Sequence, residues 1–347
     1  MFKDAKFDEA LKRKILLTGA TGLVGSHILL DLLKQNATLV YALKREKSDL
    51  SALKNLFEWY DCYPLLENIN WINGDLSSNT VSEVLPTEID EIIHTAAVVS
   101  FNPDDYEVMN KVNINATKTL LNYASKSGVS KFGFISSIAA LGRMDASGRY
   151  TENSEWVEND SNSYYSKTKY EAEKAVIAAN NNGVNTYIVN PGVILGPCDW
   201  NKSSGTFFRT GAKGIAFYTK GQNGFVDVRD VSRGMLDVMK NGSSGERHIL
   251  VGESVPYRKI FSDLCVQFGK KPPRIYSPKW LTELGWRLDK VKSKLKGVPP
   301  TLTEETARNA NGIFEYDNAK ITSRGFEFTP ITQSIEDSVP FFKQYYF

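Results

Sequence analysis

"KILLTGATGLVGSHILLDLLK", Lys14 to Lys34, opens as an unbroken apolar run and closes as an amphipathic helix. A short apolar run stopped by glycine reads as a buried strand. Between strand and helix sit Gly19, Gly22 and Gly25, spaced Gly-x-x-Gly-x-x-Gly, one residue longer in the first gap than Gly-x-Gly-x-x-Gly. Glycines here permit a tight turn, close approach of the backbone to a pyrophosphate, and close helix–sheet packing. The helix N-terminus then offers free N–H groups and the positive end of its dipole to phosphates. A glycine turn alone also serves a plain strand–helix connection. With the strand readable before it and the helix after it, dinucleotide binding is the better reading.

Outward from this loop, short β-rich runs recur at "TLVYAL", "INWIN", "EIIHT", "KFGFIS" and "NTYIVN", with helical stretches between most of them. Such alternation argues an α/β fold, a doubly wound parallel sheet of Rossmann type with helices on both faces. From about Pro191 the pattern breaks and Gly, Pro, Trp and Phe become frequent. The expected organisation is a dinucleotide-binding unit over 13–190, rejoined by about 225–251 through the strand and helix in "GFVDVRDVSRGMLDVMK". A smaller substrate-binding lobe takes 191–224 and 252–347. A chain of 347 residues is long enough for that division.

Hydrophobic content of 41% and charged content of 24% fit a soluble globular protein. A net charge of +2 gives no bulk attraction to nucleic acid. Cys62, Cys198 and Cys265 are far apart and form no CxxC pair, so no disulfide framework and no metal site is expected. The charged start "MFKDAKFDEALKRK" is not a secretory signal, and no apolar run spans a bilayer; a cytoplasmic protein is expected.

The second strand ends in "YALKREKSDL", with Lys44 and Arg45 where an NAD site usually places an acid for the ribose 2′-OH. Cations there suit a 2′-phosphate, so NADP(H) is favoured and NAD(H) is the alternative; Glu46 and Asp49 dilute the basic signal. After the third strand, "NGDLS" puts Asp75 where its side chain can accept from an adenine amino group.

"YYSKTKYEAEK", Tyr164 to Lys174, lacks Gly and Pro and reads as helix. Tyr165 and Lys169 stand at i, i+4 on one face. An ammonium beside a phenol stabilises phenolate and lowers its pKa, so such a pair can exchange a proton with a substrate oxygen. Lys169 is also i, i+4 from Glu173, and on the helix alone an ordinary surface ion pair is the simpler reading.

Taken in order, "TGATGLVG", "GDL", "HTAA", "NINAT", "ISSIAALG", "YYSKTKYEAE" and "NPGVILGP" resemble the extended short-chain dehydrogenase/reductases, the NAD-dependent epimerase/dehydratase family. The resemblance covers about residues 14–197. It implies Tyr165 as proton donor or acceptor and Lys169 as its partner, also holding the nicotinamide ribose. It implies Ser137 as the hydroxyl that orients the substrate oxygen, with Ser136 as the alternative, and Asn113 as support for a water path to the lysine. For the cofactor it implies Thr18, Gly19, Thr21, Gly22, Leu23, Val24 and Gly25 of the loop. To these it adds Lys44, Arg45, Asp75, Leu76, Ala96, Ala97, Lys169, Pro191 and Val193. His94 is read as structural, and Tyr164, Lys167 and Tyr170 as packing or solvent-facing. A homodimer with a small-molecule substrate is implied too.

The engine common to the family is hydride transfer at a carbon bearing oxygen. Ile138 and Ala139 follow Ser137, where dehydratases carry an Asp-Glu pair, so that route is disfavoured. "GPCDWNKSSG" and "GFVDVRDVSRG" resemble the dihydroflavonol-reductase-like branch. An NADP-dependent carbonyl reductase is expected, ahead of a nucleotide-sugar epimerase with bound NAD and of a non-catalytic nucleotide sensor. Trp200, Phe207, Phe208, Phe217 and Tyr218 are candidates for an apolar pocket, though most are expected in the lobe's own core.

One stretch stands apart in charge. Lys270 to Lys296 holds nine Lys or Arg against two acids. Trp280, Leu281, Leu284, Leu288, Val291 and Leu295 recur there at helical spacing. The simple expectation is a lobe helix with that apolar face on the core and its lysines, Lys292 and Lys294 among them, solvated, without membrane contact. The alternative is a surface that draws in an anionic partner, either a phosphate-bearing substrate such as a CoA thioester or an acidic membrane.

Overall fold

The computed structural model describes residues 12–35, 38–78, 80–159, 162–296 and 304–347, without the side chains of 290–296 and 305. The expectation on the charged N-terminal stretch falls largely on residues 1–11, outside the described set.

All six strands read from the sequence form: β1 (Arg13–Thr18), β2 (Thr38–Lys44), β3 (Ile69–Asn73), β4 (Glu91–His94), β5 (Lys131–Ile135) and β6 (Thr186–Pro191). Then come β7 (Val193–Leu195), β8 (Phe217–Tyr218), β9 (Gln222–Asp227), β10 (Arg247–Leu250), β11 (Glu253–Pro256) and β12 (Ile275–Tyr276). The helices of the first half are α1 (Leu23–Leu33), α2 (Ser51–Trp59), α3 (Tyr106–Met109), α4 (Ala116–Ser127) and α5 (Tyr164–Asn181). Those of the second are α6 (Gly205–Lys213), α7 (Val228–Asn241), α8 (Tyr257–Gln267), α9 (Lys279–Lys296), α10 (Glu304–Asn309), α11 (Ala319–Thr322) and α12 (Ile331–Tyr346).

Seven strands make one parallel sheet in the order β10-β6-β5-β4-β1-β2-β3. A parallel sheet is covered on both faces and needs strands apolar on both sides. That is what "KILLT" supplies. Ile15 and Leu17 point into the core shared with Ile28, Leu29 and Met235 of α1 and α7. Leu16, between them, joins Leu120, Ala172 and Val176 of α4 and α5 on the opposite face. A third core under the lobe gathers Phe208, Leu264, Ile335, Phe341 and Phe342.

Two features differ from the sequence reading. The strand in "GFVDV" does not return to the main sheet. As β9 it pairs with β7 and β11 in a separate three-stranded sheet, α7 packs on α1, and the strand that rejoins the main sheet is β10. Local pattern identifies a strand but not its neighbour. The second difference is α9. Its apolar stripe does not face the core: Trp280 is 67% exposed, Leu284 46% and Leu288 61%. The side chains of Val291, Lys292, Lys294 and Leu295 are outside the described set. Among the described residues no helix is long and apolar enough to cross a membrane.

All three histidines of the chain are buried and held neutral. His94 Nδ1 meets Thr18 Oγ1 at 2.6 Å and its Nε2 meets Thr117 Oγ1 at 3.0 Å, which is a structural placement. Burial pushes its pKa from 6.5 down to about 3, with Lys169 adding to the effect. Burial likewise lowers His27, and lowers His248 to about 4. The unfolded rings take protons below 6.5 while the native ones refuse them. The unfolded state therefore binds more protons in that window, and stability falls on acidification. Each such ring contributes a slope of up to about 1.4 kcal/mol per pH unit. Urea midpoints are expected to drop as pH falls from 6.5 toward about 5, and His94→Asn to flatten that slope. A flat wild-type profile across this range contradicts the neutral buried rings.

Candidate active site

The glycine loop is built for close approach. Gly19 has φ +73°, the left-handed region, and a Cβ there would lie 2.6 Å from Thr95 Oγ1. A Cβ on Gly25 would lie 2.1 Å from the Gly19 carbonyl oxygen, so α1 packs against the turn only without one. Gly22 caps α1 and offers no side-chain acceptor, which leaves the first-turn amides open to an anion. The backbone thus fits a pyrophosphate.

At the far end of the cleft, Lys44 Nζ donates to Asn73 Oδ1 at 2.9 Å and lies 6.0 Å from the Trp71 ring centre. The Arg45 guanidinium is exposed and has no carboxylate partner among the described residues. Asp75 accepts from the Ser77 backbone N–H and hydroxyl, both at 2.8 Å. That backbone bond holds its carboxyl below the usual range, with Arg45 a minor contributor.

Helix α5 starts with Ser163 capping the Ser166 amide at 2.9 Å. Its two leading tyrosines part company. Tyr164 stacks on Tyr106 at 3.8 Å and accepts from Asn110 Nδ2 at 2.6 Å, so it is used in packing. Tyr165 faces the cleft, edge-on to Phe101. Burial pushes its phenol up to about 12, and a hydrogen bond with Ser137 pulls the other way. Lys169 is 2% exposed. Its Nζ donates to the Ile135 carbonyl at 2.7 Å, 4.4 Å from the Phe134 ring centre. Burial lowers it to about 7, and Glu173 raises it. The expected lowering of the phenol by a neighbouring ammonium is therefore not the dominant effect here; desolvation is.

Glu173 is 1% exposed and is not half of a surface pair with Lys169. Its carboxylate takes the Ser136 hydroxyl at 2.5 Å, Asn190 Nδ2 at 2.8 Å and Arg247 Nη1 at 3.0 Å. Ser136 is thereby committed, which leaves Ser137 as the hydroxyl beside Tyr165. Asn190 Nδ2 also bonds the Ser137 carbonyl at 3.0 Å. Asn113 sits in a π-helical turn, Asn110–Asn115, a local widening often found at functional sites. Its side chain exchanges bonds with the Val98 backbone at 2.8 and 3.0 Å and donates to Thr168 at 3.0 Å. It clamps the loop after β4 to α5 and does not line the cleft.

One cleft of about 1480 Å³ brings these pieces together. It is lined by Tyr165, Lys169 and Ser137, and by every expected cofactor residue except Thr18: Gly19, Thr21, Gly22, Leu23, Val24, Gly25, Lys44, Arg45, Asp75, Leu76, Ala96, Ala97, Pro191 and Val193. Thr18 lies behind the loop, fully buried against His94. Among the described residues no group of three His, Cys, Asp or Glu is placed to hold a metal ion.

Residues 15–252 match the NAD dependent epimerase/dehydratase family. The chain belongs to that family. It is 27% identical over 337 residues to the "Putative dihydroflavonol 4-reductase" of Synechocystis sp., covering 95% of this chain and 94% of the relative. It is 30% identical over 267 residues to sterol demethylase protein B of Methylococcus capsulatus, covering 76% and 77%. The fold matches that of UDP-glucuronic acid 4-epimerase from Bacillus cereus in complex with NAD, with TM-score 0.73, 19% identity and coverage of 96% and 100%. The protein is an oxidoreductase-type member of this family.

The cleft also takes residues that sequence reading missed. Asn223, Tyr257 and Tyr316 form a polar cluster in its wall, with bonds of 3.1 and 3.2 Å. They come from β9, α8 and the chain before α11, and no local signal links them. Of the five aromatics singled out, Phe207, Phe217 and Tyr218 line the cleft. Trp200 stacks on Tyr346 and Phe208 on Phe342 instead. Phe207 also packs against the lobe's core, as Trp200 and Phe208 do, so three of the five serve that core.

Gly25→Ala is expected to abolish measurable dinucleotide binding by calorimetry, because its methyl group overlaps the Gly19 carbonyl. Gly148→Ala, where a Cβ meets nothing within 4 Å, is expected to bind as wild type. Equal binding by both variants contradicts the close approach.

Proposed function

We propose that the protein is an NADP-dependent carbonyl reductase. The observation that carries the reading is the Tyr165 phenol, held at about 12 beside Ser137 in an aromatic-walled cleft shared with the phosphate loop. A phenol with that pKa stays protonated at neutral pH, which is the form that must give a proton to a carbonyl oxygen. Ser137, hydrogen-bonded with Tyr165, would support the same oxygen. The bound dinucleotide supplies the hydride. Gly19, Gly22 and the first-turn amides of α1 would hold its diphosphate, Asp75 would meet its adenine, and Lys44 and Arg45 would take the 2′-phosphate. Charged Lys169 has N–H donors beyond its bond to Ile135, available to ribose hydroxyls.

A nucleotide-sugar substrate would need cations for a second diphosphate. Among the described cleft-lining residues from 204 onward, the cations are Arg258 and Arg308, both exposed, and Arg308 is paired with Glu304 at 3.2 Å. The rest of that wall mixes aromatic rings, Phe207, Phe217, Tyr218, Tyr257, Phe261, Phe314 and Tyr316, with uncharged polar side chains, which supports an uncharged carbonyl or alcohol. The relative named as a reductase supports the same direction. The homodimer implied by the resemblance and the cytoplasmic setting expected from the sequence belong to this proposal.

Tyr165→Phe is expected to keep nucleotide affinity and to cut turnover about 10²-fold or more. Tyr164→Phe should remain active; the opposite pattern assigns the chemistry to the other tyrosine. Neutralising Lys44 and Arg45 together should weaken NADPH far more than NADH, each charged contact contributing roughly 1.5–3 kcal/mol. Tighter NADH than NADPH in the wild type, read by calorimetry, overturns the NADP assignment.

A further inference from the structure

Exposed large apolar side chains occur at several places on the molecule, and one group of six stands out on the lobe. Phe217, Ile275, Trp280, Leu284, Leu288 and Ile313 all lie on the lobe, and each is at least 46% exposed. The structure brings them together. Phe217 of β8 pairs with Ile275 of β12, and α9 begins three residues after Tyr276. Ile313 bridges to Gln222, and Asn311 donates to Thr282 of α9 at 2.9 Å. Trp280, Leu284 and Leu288 stand at i, i+4 and i+8 on one face, a stripe about 12 Å long. Contiguous exposed apolar surface of this kind marks an interaction site.

The charge around the stripe says what it meets. The stretch 270–296 carries nine cations and two acids in a chain whose net charge is only +2. Among the described residues, Lys220, Arg258, Arg274 and Lys279 have no carboxylate partner, while Glu283 is paired with Arg287 at 3.1 Å. Apolar side chains with Trp at one end and Lys or Arg alongside are what an interfacial helix needs to sink into an anionic lipid surface. The cleft opens at the same place: Phe217, Ser277 and Thr282 line it.

We propose that this face docks on an anionic bilayer, and that the cleft takes an apolar carbonyl or alcohol from that bilayer. The substrate half rests on the reductase reading above; the docking half does not.

The full chain is tested by flotation with phosphatidylcholine vesicles, with and without about 30% phosphatidylglycerol. Wild type is expected to float with the anionic vesicles and to be released as salt rises to about 0.5 M. Arg274→Glu with Lys279→Glu should weaken that partition about tenfold or more. Trp280→Ser with Leu288→Ser, at exposed positions, should do likewise with an unchanged thermal midpoint. No retention on anionic vesicles, or equal retention on neutral ones, overturns the docking. A loss of dimer mass in the Trp280/Leu288 variant, read by light scattering, overturns it as well and makes the face a subunit interface. Tyr165→Phe must bind vesicles as wild type does. For the substrate half, a long-chain ketone in anionic vesicles is compared with a short water-soluble ketone. The charge-reversed variant should lose about tenfold on the first and nothing on the second. If wild type reduces neither while still floating, the reductase reading fails and the docking stands. If it reduces both and the reversed variant loses nothing, uptake from the bilayer is overturned.

Discussion

The buried carboxylate of Glu173 is the interaction on which the arrangement of Tyr165, Lys169 and Ser137 depends. It sits on α5, one turn after Lys169, and takes donors from three strands: Ser136 after β5, Asn190 of β6 and Arg247 of β10. An acid this deep is costly unless charge and hydrogen bonds compensate it, and removing one partner of such a pair typically costs about 3–5 kcal/mol. The compensation has geometric consequences. It locks the helix that carries Tyr165 to the strand end that carries Ser137. It also gives β10 a reason to close the sheet beside β6. Arg247 extends the tie by donating to the carbonyls of Glu152 and Ser154, so the segment before α5 is held by the same guanidinium.

Burial sets the chemistry of the cleft more than charge pairing does. Lys169 is stripped of water beside Phe134 and has one carbonyl partner, so its ammonium is destabilised toward about 7. Tyr165 is stripped of water too, and its neutral form is favoured. Both shifts move groups toward their uncharged forms, the direction desolvation dictates. Under the proposed function, Lys169 would offer its remaining N–H donors to a dinucleotide's ribose hydroxyls, which would make good part of its lost hydration.

The parts readable from the sequence were those whose partners are near in sequence or whose residue type is forced. The strand–turn–helix at Lys14 to Lys34 is a single local event, and Gly19 and Gly25 admit no other residue. Tyr165 and Lys169 are one helical turn apart. What escaped reading depends on distant partners. Glu173 meets Arg247 across 74 residues, and nothing at either position announces the other. Asn113, read as support for a water path to the lysine, spends its side chain on Val98 and Thr168, since a polar helix residue does not declare which groups it will satisfy. The stripe on α9 was visible as periodicity; its direction was not, because periodicity shows that a face exists and leaves open what covers it.

The family match ends at residue 252, close to where the main sheet is complete. The residues beyond it, α8 to α12, contribute Tyr257, Phe261, Thr282 and Tyr316 to the cleft wall. In the proposed reading, the reaction engine and the substrate filter are carried by different stretches of chain, and they answer to different physical demands. The engine needs one phenol, one lysine and one hydroxyl at fixed separations, which only a rigid sheet and a buried helix can hold. The filter needs shape and polarity, which rings stacked across long sequence gaps supply, as Phe207 on Phe261 does at 5.3 Å. Such contacts can be exchanged without disturbing the sheet, so one fold can serve several carbonyl chemistries. The cationic, apolar surface of α9 belongs to the filter's side of this division. Its Thr282 lines the cleft, so under the docking proposal the same helix would face both the bilayer and the substrate.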